Sequence, residues 1–384
     1  MTTSAEPRSS AEQPEGPLSA DWRVRREADQ QAALPAGAAV VSCSAPYGSG
    51  GLGRHLREIA DALARRGQPV SCICGAADPP RVGPPSRELL APAITTALDP
   101  LIRLSPGWST WKTGVVFDAQ AARALPAAEQ ILAFNGQALA QFRAASRARY
   151  GSLSLVSATS HLRRVLRQYE RAYRQYPIER SWAGHLLRRN LAEYARADRI
   201  YVSSEHVRES FLEEGFAEER LTLFGLTPDP RYTPAPAPPA SSTFNVVYVG
   251  SLSVAKGVPL LVEAFGRLAH ADLRLVLVGG FGTRGMRRFI EAAQIRDPRV
   301  RVELGDPLAH LRAARLCVHP SYEDGFAYAP AEALACGVPV LVSDSTGMKD
   351  MIGAGRNGMV LATGDPDALT DAIEAAYRGE LLGG

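Results

Sequence analysis

A proline-rich segment limits this chain to two folding units. Four of the six residues at 234–239 are proline, and such a run favours an extended polyproline conformation that cannot lie inside a sheet or a helix. The chain has 384 residues, which is more than one core of ordinary size needs. We therefore predict an N-terminal domain over residues 37–232, a linker over residues 233–242 and a C-terminal domain over residues 243–384.

Both sides of the linker alternate between short apolar runs and segments of helical period. In the N-terminal part, a glycine-rich loop and an amphipathic helix separate apolar runs at 38–43 and 70–74. In the C-terminal part, a strand at 244–249 precedes a helix at 258–268. We predict an α/β protein of two doubly wound, Rossmann-like parallel-sheet domains that face a cleft, with ligands at the carboxyl ends of the strands. Further apolar runs predict strands of the N-terminal domain at residues 114–117, 130–134 and 153–156.

Composition excludes several classes of protein. Hydrophobic residues make up 46% and charged residues 22% of the chain, which is typical of a soluble globular protein. No apolar run reaches the roughly 18 residues that span a bilayer, and the start does not resemble an export signal. The five cysteines are an odd, scattered set, which favours a reduced, cytoplasmic protein over a disulfide scaffold. The net charge of +3 gives no reason to expect a nucleic-acid partner.

Two segments have an unusual composition. Residues 1–36 are rich in Ser, Glu, Pro, Gln and Arg and lack apolar periodicity, which predicts a disordered tail. Residues 161–199 have a long, basic helical pattern with ten arginines against four acids. A solvated helical face explains this charge. The alternative is a functional face that attracts an acidic acceptor or an anionic membrane, which would place the protein peripherally at the inner membrane face.

Two glycine-containing loops each follow a strand and precede a helix. Gly48-Ser-Gly-Gly-Leu-Gly53 lets the backbone approach a ligand, and the helix after it favours an anion at its amino end. A plain strand-to-helix turn explains the same spacing, and the acidic residue of a dinucleotide site is missing. Gly250-Ser-Leu-Ser-Val-Ala-Lys-Gly257 has the same layout in the C-terminal domain. Its Lys256 is one of only three lysines, and we predict that it binds phosphate, with a solvated surface lysine as the alternative.

The most informative stretch joins a strand to a helix. It is Pro320-Ser-Tyr-Glu-Asp-Gly-Phe-Ala-Tyr-Ala-Pro-Ala-Glu-Ala-Leu-Ala-Cys-Gly-Val-Pro-Val340. We place Glu323 and Asp324 on the loop and Glu332 in the first turn of a helix that starts at Pro330. Backbone N–H groups of residues 325–327 would face an anion, and the carboxylates would meet hydroxyl groups. Such a site can hold a molecule that is both sugar and phosphate, although Glu332 also suits a helix amino end without any ligand.

One histidine and one pair of aspartates need separate interpretation. His161 lies at the carboxyl end of a predicted strand, where ligand groups collect. Asp365-Pro-Asp367 has the spacing of a metal-binding pair, but Asp365 before Pro366 better fits a helix N-cap. No cluster of His, Cys, Asp or Glu has the spacing of a zinc site. We therefore predict no metal site.

These motifs together resemble the retaining glycosyltransferases of GT-B fold, specifically glycosyltransferase family 4, from about residue 40 to the end of the chain. Besides the two C-terminal motifs, the resemblance is carried by Gly364-Asp-Pro-Asp-Ala-Leu-Thr-Asp-Ala-Ile373 and by Ala197-Asp-Arg-Ile-Tyr-Val-Ser-Ser-Glu-His-Val-Arg-Glu-Ser210. It implies an enzyme without a cofactor or metal that moves a sugar from a UDP- or GDP-sugar donor, with retention. The implied acceptor is a small-molecule, glycan or lipid-linked hydroxyl.

The resemblance also assigns roles to individual residues. Lys256 would contact the diphosphate, Glu332 would bind ribose hydroxyls, and Asp324, beside Glu323, would bind hydroxyls of the donor sugar. His161 would lie near that sugar, which makes His161, Lys256 and Asp324 the predicted catalytic residues. The remaining predicted donor contacts are Ser251 and the N–H groups of Gly325, Phe326 and Ala327. Gly50 and Gly51 would close over the diphosphate from the N-terminal domain.

Two departures from the family pattern leave alternatives open. The first acid of the family motif is usually Glu, where this chain has Asp324, and the phosphate-binding arginine of the family is Ser251 here. Arg54 or Arg284 would have to supply the missing cation. The alternatives to a transferase are a catalytically degenerate binding protein, a sugar phosphorylase and a nucleotide-sugar epimerase of the same fold.

Overall fold

Two parallel sheets, one on each side of the proline-rich segment, organise the chain. The computed structural model describes residues 20–75, 86–89, 106–179, 184–236, 243–353 and 355–381. Within these residues, helices accompany both sheets, which confirms the predicted α/β fold of two doubly wound domains. The domain boundaries at residues 232 and 243 stay a prediction, because part of the linker, residues 237–242, lies outside the described residues.

The sheet of the N-terminal domain has seven strands, ordered β3-β2-β1-β4-β5-β6-β7. They are β1 (Ala39–Pro46), β2 (Val70–Gly75), β3 (Ser86–Leu89), β4 (Gln130–Phe134), β5 (Ser152–Ser157), β6 (Arg199–Val202) and β7 (Leu221–Leu223). The described helices of this domain are α1 (Ala20–Ala33), α2 (Gly50–Arg65), α3 (Pro106–Ala124), α4 (Leu139–Arg147), α5 (Leu162–Gln175), α6 (Gly184–Tyr194) and α7 (Glu205–Leu212). Strand β1 is an interior strand that pairs in parallel with β2 on one side and β4 on the other, and the strand sequence reverses between β1 and β4.

The sheet of the C-terminal domain has six strands, ordered β10-β9-β8-β11-β12-β13. They are β8 (Phe244–Val249), β9 (Leu273–Val278), β10 (Val300–Glu303), β11 (Leu316–His319), β12 (Val340–Ser343) and β13 (Gly358–Leu361). The helices are α8 (Val258–Gly266), α9 (Arg284–Arg296), α10 (Leu308–Arg312), α11 (Tyr328–Ala335) and α12 (Pro366–Tyr377). The order places β8 and β11 side by side at the centre, where the strand sequence reverses. That reversal is where such sheets bind ligands.

Two segments of the N-terminal domain differ from their predicted structure. The apolar run 114–117 is part of helix α3 and not a strand, because Phe117, Ala121 and Ala124 recur at helical spacing and are buried on one face. Residues 20–33 of the predicted disordered tail form helix α1, whereas residues 1–19 lie outside the described residues. Side chains of α1 explain its order, since Gln30 is buried and donates to the carbonyl oxygen of Gly225 over 2.8 Å.

The segment after β5 joins the two domains. Tyr176 donates to Oε2 of Glu263 over 2.5 Å, and the Glu179 carboxylate accepts from the backbone N–H of Val254 over 2.9 Å. These contacts hold α5 and the turn after it against the C-terminal domain. The described part of the predicted basic segment 161–199 therefore contains helices α5 and α6, and the end of α5 and the turn after it contact the C-terminal domain.

Two further findings concern the cysteines and the lengths of the helices. All five cysteines are buried and free. Within the described part of the chain, no helix is both long enough and apolar enough to cross a bilayer.

Candidate active site

A cavity of about 1010 Å³ lies between the two domains, and we call it the interdomain cavity. Its wall includes Gly48 just after β1, Val249 at the end of β8 and His319 at the end of β11. The cavity therefore opens at the carboxyl ends of interior strands of both sheets, β1 in one and β8 and β11 in the other. This is the predicted place for a ligand.

The glycine-rich loop of the N-terminal domain brings a helix amino end to this cavity. Gly48 and Gly50 have φ angles of 68° and 60°, which glycine adopts without steric cost. At Gly53 a β-carbon would lie 2.1 Å from the carbonyl oxygen of Pro46, so the turn is too tight for a larger residue. Helix α2 starts at Gly50, and both Gly50 and Gly51 line the cavity. N–H groups in the first turn of a helix have no acceptor within the helix, so they suit an anion here.

A second helix amino end reaches the cavity from the C-terminal domain. Helix α11 begins at Tyr328 and not at the predicted Pro330, so Glu332 lies in its second turn and not in its first. Ala327 precedes it with a φ of 64°, a left-handed conformation that costs a non-glycine residue roughly 1–3 kcal/mol. Phe326 and Ala327, whose N–H groups are predicted donor contacts, line the cavity. The amino ends of α2 and α11 therefore meet one space from opposite domains.

Lys256 forms a charged cluster in the cavity wall. Its Nζ lies 2.6 Å from Oδ2 of Asp324, and Nε2 of His319 lies 3.0 Å from the same oxygen. Burial acts to raise the pKa of Asp324, but Lys256 and His319 outweigh burial and hold this pKa well below its usual range. Burial acts to lower the pKa of Lys256, but Asp324 outweighs it, and the pKa rises. Both groups are therefore ionised at neutral pH.

Glu332 pairs with an arginine from the other domain. Arg54 of α2 donates to Oε1 of Glu332, and its guanidinium carbon lies 4.2 Å from the centre of the Tyr328 ring. Burial raises the pKa of Glu332, and Arg54 opposes that rise. Tyr328 in turn donates to Oε1 of Glu58 over 2.8 Å. Of the two arginines that could supply the missing family cation, Arg54 lies at the cavity, whereas Arg284 is exposed at the start of α9.

Every arginine and lysine in the described wall of the cavity has a carboxylate partner. Besides the two pairs above, Arg57 lies 3.6 Å from Asp229, and Arg231 lies 2.6 Å from Asp306. An anionic ligand would therefore replace carboxylates as the partner of these cations. The carboxylates so released would be available to accept hydrogen bonds from hydroxyl groups.

Three predicted donor-binding residues do not line this cavity. Glu323 is buried on the other side of its loop, with Oε2 3.2 Å from Nε2 of His206 in the N-terminal domain. The carbonyl oxygen of Gly325 accepts from Oγ of Ser204 over 2.6 Å. Ser251 lines a neighbouring cavity. Glu323 and Gly325 therefore hold the domains together.

His161 is a core residue of the N-terminal domain. It is the N-cap of α5, where Nδ1 accepts from the backbone N–H of Arg163 over 3.4 Å. The ring is 1% exposed and packs on Tyr194 and Phe211, with ring centres 4.8 Å and 5.2 Å away. Burial lowers the pKa of His161 to about 4. Its predicted place near the donor sugar is wrong, because the chain turns into a helix that buries the ring away from the cavity.

Several residues of the wall escaped sequence reasoning. Arg231, Tyr232 and Tyr248 line the cavity but belong to no motif that could have identified them. Tyr328 lies four residues before Glu332, and this spacing on a helix places both on one face. That spacing was an available signal for Tyr328.

The Asp365-Pro-Asp367 motif is a helix cap, as predicted. Oδ1 of Asp365 accepts from the backbone N–H groups of Asp367 and Ala368, each over 3.0 Å. Across the residues that the structure describes, no three His, Cys, Asp or Glu side chains gather in a way that could hold a metal ion.

Comparison with known proteins identifies the C-terminal domain. Residues 243–378 match the family model of glycosyl transferases group 1. These residues are a glycosyl transferases group 1 domain. The resemblance that its motifs predict is thereby confirmed. A D-inositol 3-phosphate glycosyltransferase of Paenarthrobacter aurescens is 28% identical to this chain over 196 residues, which are 48% of this chain and 44% of that protein. The chain thus spans less than half of the length of this relative.

Solved structures resemble the chain across both domains. The sucrose-phosphate synthase of Thermosynechococcus elongatus has a TM-score of 0.64 at 19% identity and covers 90% of this chain and 92% of its own. The Anabaena protein HepE, solved in complex with UDP and glucose, has a TM-score of 0.65 at 17% identity with the same coverage. The glycosyl transferases group 1 domain and the N-terminal domain therefore form a GT-B fold together.

Proposed function

We propose that this chain transfers a sugar from a nucleoside diphosphate to a hydroxyl group of an acceptor. The observation that carries the proposal is the meeting of two helix amino ends with Arg54 and Lys256 around the interdomain cavity. Two helix amino ends and two cations suit the two phosphate groups of such a donor. The complex of HepE with UDP and glucose and the name of the Paenarthrobacter relative support the same chemistry.

Four charged residues of the cavity have proposed roles. Lys256 and Arg54 would bind diphosphate oxygens in place of their carboxylate partners. Glu332, released from Arg54, would accept hydrogen bonds from ribose hydroxyls. Asp324, released from Lys256, would accept them from the donor sugar. Arg54 would also replace the arginine that the family has at the position of Ser251.

The proposed transfer retains the anomeric configuration and uses no metal ion. The bond between the anomeric carbon and the diphosphate oxygen breaks, and the nucleoside diphosphate leaves with the electron pair. The acceptor oxygen bonds to the anomeric carbon from the same face, and its proton passes to the leaving diphosphate. Lys256 and the two helix amino ends would stabilise the negative charge that develops on the leaving group.

Calorimetric titration with UDP and GDP, followed by mass spectrometry of reactions with UDP- and GDP-sugars, tests the proposal. We expect one diphosphate to bind and a glycosylated product to form. Failure of both diphosphates to bind at millimolar concentration refutes it. Binding without turnover would support the degenerate binding protein. Release of a sugar phosphate from an oligosaccharide and phosphate would indicate a phosphorylase, and a changed donor sugar without an acceptor would indicate an epimerase.

Contact of the basic segment 161–199 with an anionic membrane stays a separate prediction. Arg164 pairs with Glu213 and Arg167 with Glu214, which reduces the charge that this surface offers. Salt-sensitive binding to anionic vesicles alone would support the contact. Equal partition to neutral and anionic vesicles would contradict it.

A further inference from the structure

A second cavity adjoins the interdomain cavity, and we call it the neighbouring cavity. The N-terminal domain supplies most of its wall, and Ser251, Ser253, Ala255 and Gly282 of the C-terminal domain supply the rest of the described part. Its volume is about 410 Å³, within the range of roughly 300–1,000 Å³ that is typical of small-molecule sites. Leu52, Ala158 and Thr159 line both cavities. A molecule in the neighbouring cavity can therefore present one end to a sugar in the interdomain cavity.

One side of helix α5 supplies much of the wall. Leu162, Val165, Leu166, Tyr169 and Tyr173 recur at helical spacing and all line the cavity. An amphipathic helix normally buries such a stripe against a core, but this one borders an open space of ligand size. The rings of Tyr169 and Tyr173 meet edge to face, with centres 6.3 Å apart. The wall therefore offers aliphatic and aromatic surface to a bound molecule.

The neighbouring cavity offers little to a charged ligand. Among the described residues of its wall there is no arginine or lysine. Its one described carboxylate, Glu179, already accepts from the backbone N–H of Val254 over 2.9 Å and from Oγ1 of Thr283 over 2.7 Å. A phosphate group in this space would lose water without gaining a cationic partner from the described wall, which is strongly unfavourable.

We propose that the neighbouring cavity binds the acceptor, and that this acceptor is an uncharged alcohol or phenol with an apolar body. This inference rests on the proposed transferase function. An uncharged acceptor would distinguish this chain from the Paenarthrobacter relative, whose name contains a charged inositol phosphate. The acceptor hydroxyl would sit beside Leu52 and Thr159 and attack the anomeric carbon. The donor C–O bond breaks, the new C–O bond forms at the acceptor oxygen, and the acceptor proton leaves with the nucleoside diphosphate.

Binding without a donor tests the cavity independently of turnover. The probe is 2-naphthol, an uncharged phenol with an apolar body, titrated into the full chain by ligand-observed NMR and compared with inositol 3-phosphate. Leu166→Arg places a charge inside the cavity and should weaken 2-naphthol binding at least tenfold. Glu170→Arg is the matched control, because it places the same side chain one turn along α5, where Glu170 is 63% exposed. It should leave 2-naphthol binding unchanged, and the melting temperatures of both variants show that they fold.

A transfer assay then decides the acceptor class. With the donor that the wild type accepts, we expect glycosylated 2-naphthol or glycosylated octanol and no product from inositol 3-phosphate. Preferential binding or glycosylation of inositol 3-phosphate overturns the inference. So does a failure of 2-naphthol to bind, or equal 2-naphthol binding by Leu166→Arg and the wild type. If the chain binds 2-naphthol but neither UDP nor GDP, the proposed function fails while the apolar site stands.

Discussion

Replacement of Lys256 by alanine tests the central charge of the proposed site. The Lys256 and Asp324 side chains are 26% and 20% exposed, and Nζ lies 2.6 Å from Oδ2. In the variant, His319 is the remaining partner of this carboxylate within the cluster. A charged group that loses its partner in such a setting costs about 1–3 kcal/mol. A loss of 1 kcal/mol lowers Tm by about 2–4 °C in domains of this size, so we expect Tm to fall by about 2–12 °C.

Turnover should fall much further than stability. Loss of one preorganised donor to a developing negative charge typically reduces kcat by about 10²–10³. We expect a loss of this size in Lys256→Ala, measured as release of nucleoside diphosphate with the donor and acceptor that the wild type uses. Lys256→Arg, which keeps a cation at the position, is the control and should retain more activity than the alanine variant.

A double variant separates the two effects of Lys256. In Lys256→Ala/Asp324→Asn the unpaired charge is gone and the side-chain shape at position 324 is kept, so Tm should return towards the wild-type value. Turnover should stay low, because the phosphate-binding cation is still missing. Wild-type turnover in Lys256→Ala would refute the phosphate role. A Tm that Asp324→Asn does not restore would refute the charge-based account of the lost stability.

Three further predictions concern Glu332, Gly53 and His161. Glu332→Ala should weaken binding of the nucleoside diphosphate about tenfold or more, because hydrogen bonds to charged groups contribute about 1.5–3 kcal/mol. An unchanged affinity in calorimetric titration would contradict the ribose role of Glu332. Gly53→Ala should lower the free energy of unfolding, measured by denaturant titration, by about 1–3 kcal/mol, because the added β-carbon meets the Pro46 carbonyl oxygen. Gly266→Ala is the control and should not lower this free energy, because there is open space around Gly266. Burial holds the pKa of His161 at about 4, below its ordinary 6.5, so the unfolded chain binds the proton first and stability should fall as pH drops from about 6.5 to 4. His161→Asn keeps an acceptor at the N-cap but does not titrate, so the loss of stability towards low pH should be smaller and turnover should stay near wild type. A large loss of kcat in this variant would restore the catalytic assignment of His161.

The local sequence pattern was sufficient to predict most of the strands that we proposed and both glycine-containing loops. The buried strands β4 and β5 follow directly from apolar runs, and the cap at Asp365 follows from the proline after it, because these features depend on near neighbours in the chain. The prediction of a strand at residues 114–117 was wrong for the same reason, because it used near neighbours alone. Four apolar residues do not distinguish a strand from one turn of a helix, and only the longer spacing to Ala121 and Ala124 decides between them.

The ends of strands were a poorer guide to individual site residues. His161 and His319 each follow or end a strand, yet His161 is buried among aromatic rings and His319 contacts Asp324. The difference lies in what packs on each loop from distant parts of the chain. Helix α1 shows the same dependence, because Gln30 is held by Glu58 and Gly225, and no local pattern links these three residues.

The loop of residues 323–325 shows why a motif in one domain does not determine the site. Asp324 faces Lys256, while its neighbours face the other domain, where Glu323 meets His206 and the Gly325 carbonyl oxygen accepts from Ser204. A β-carbon at Gly325 would lie 2.1 Å from a backbone oxygen of the N-terminal domain, so this approach is possible only for glycine. Contacts on both sides of Asp324 therefore depend on the N-terminal domain. The orientation of the Asp324 carboxylate towards the cavity is a property of the two domains in contact, which a one-domain motif cannot encode.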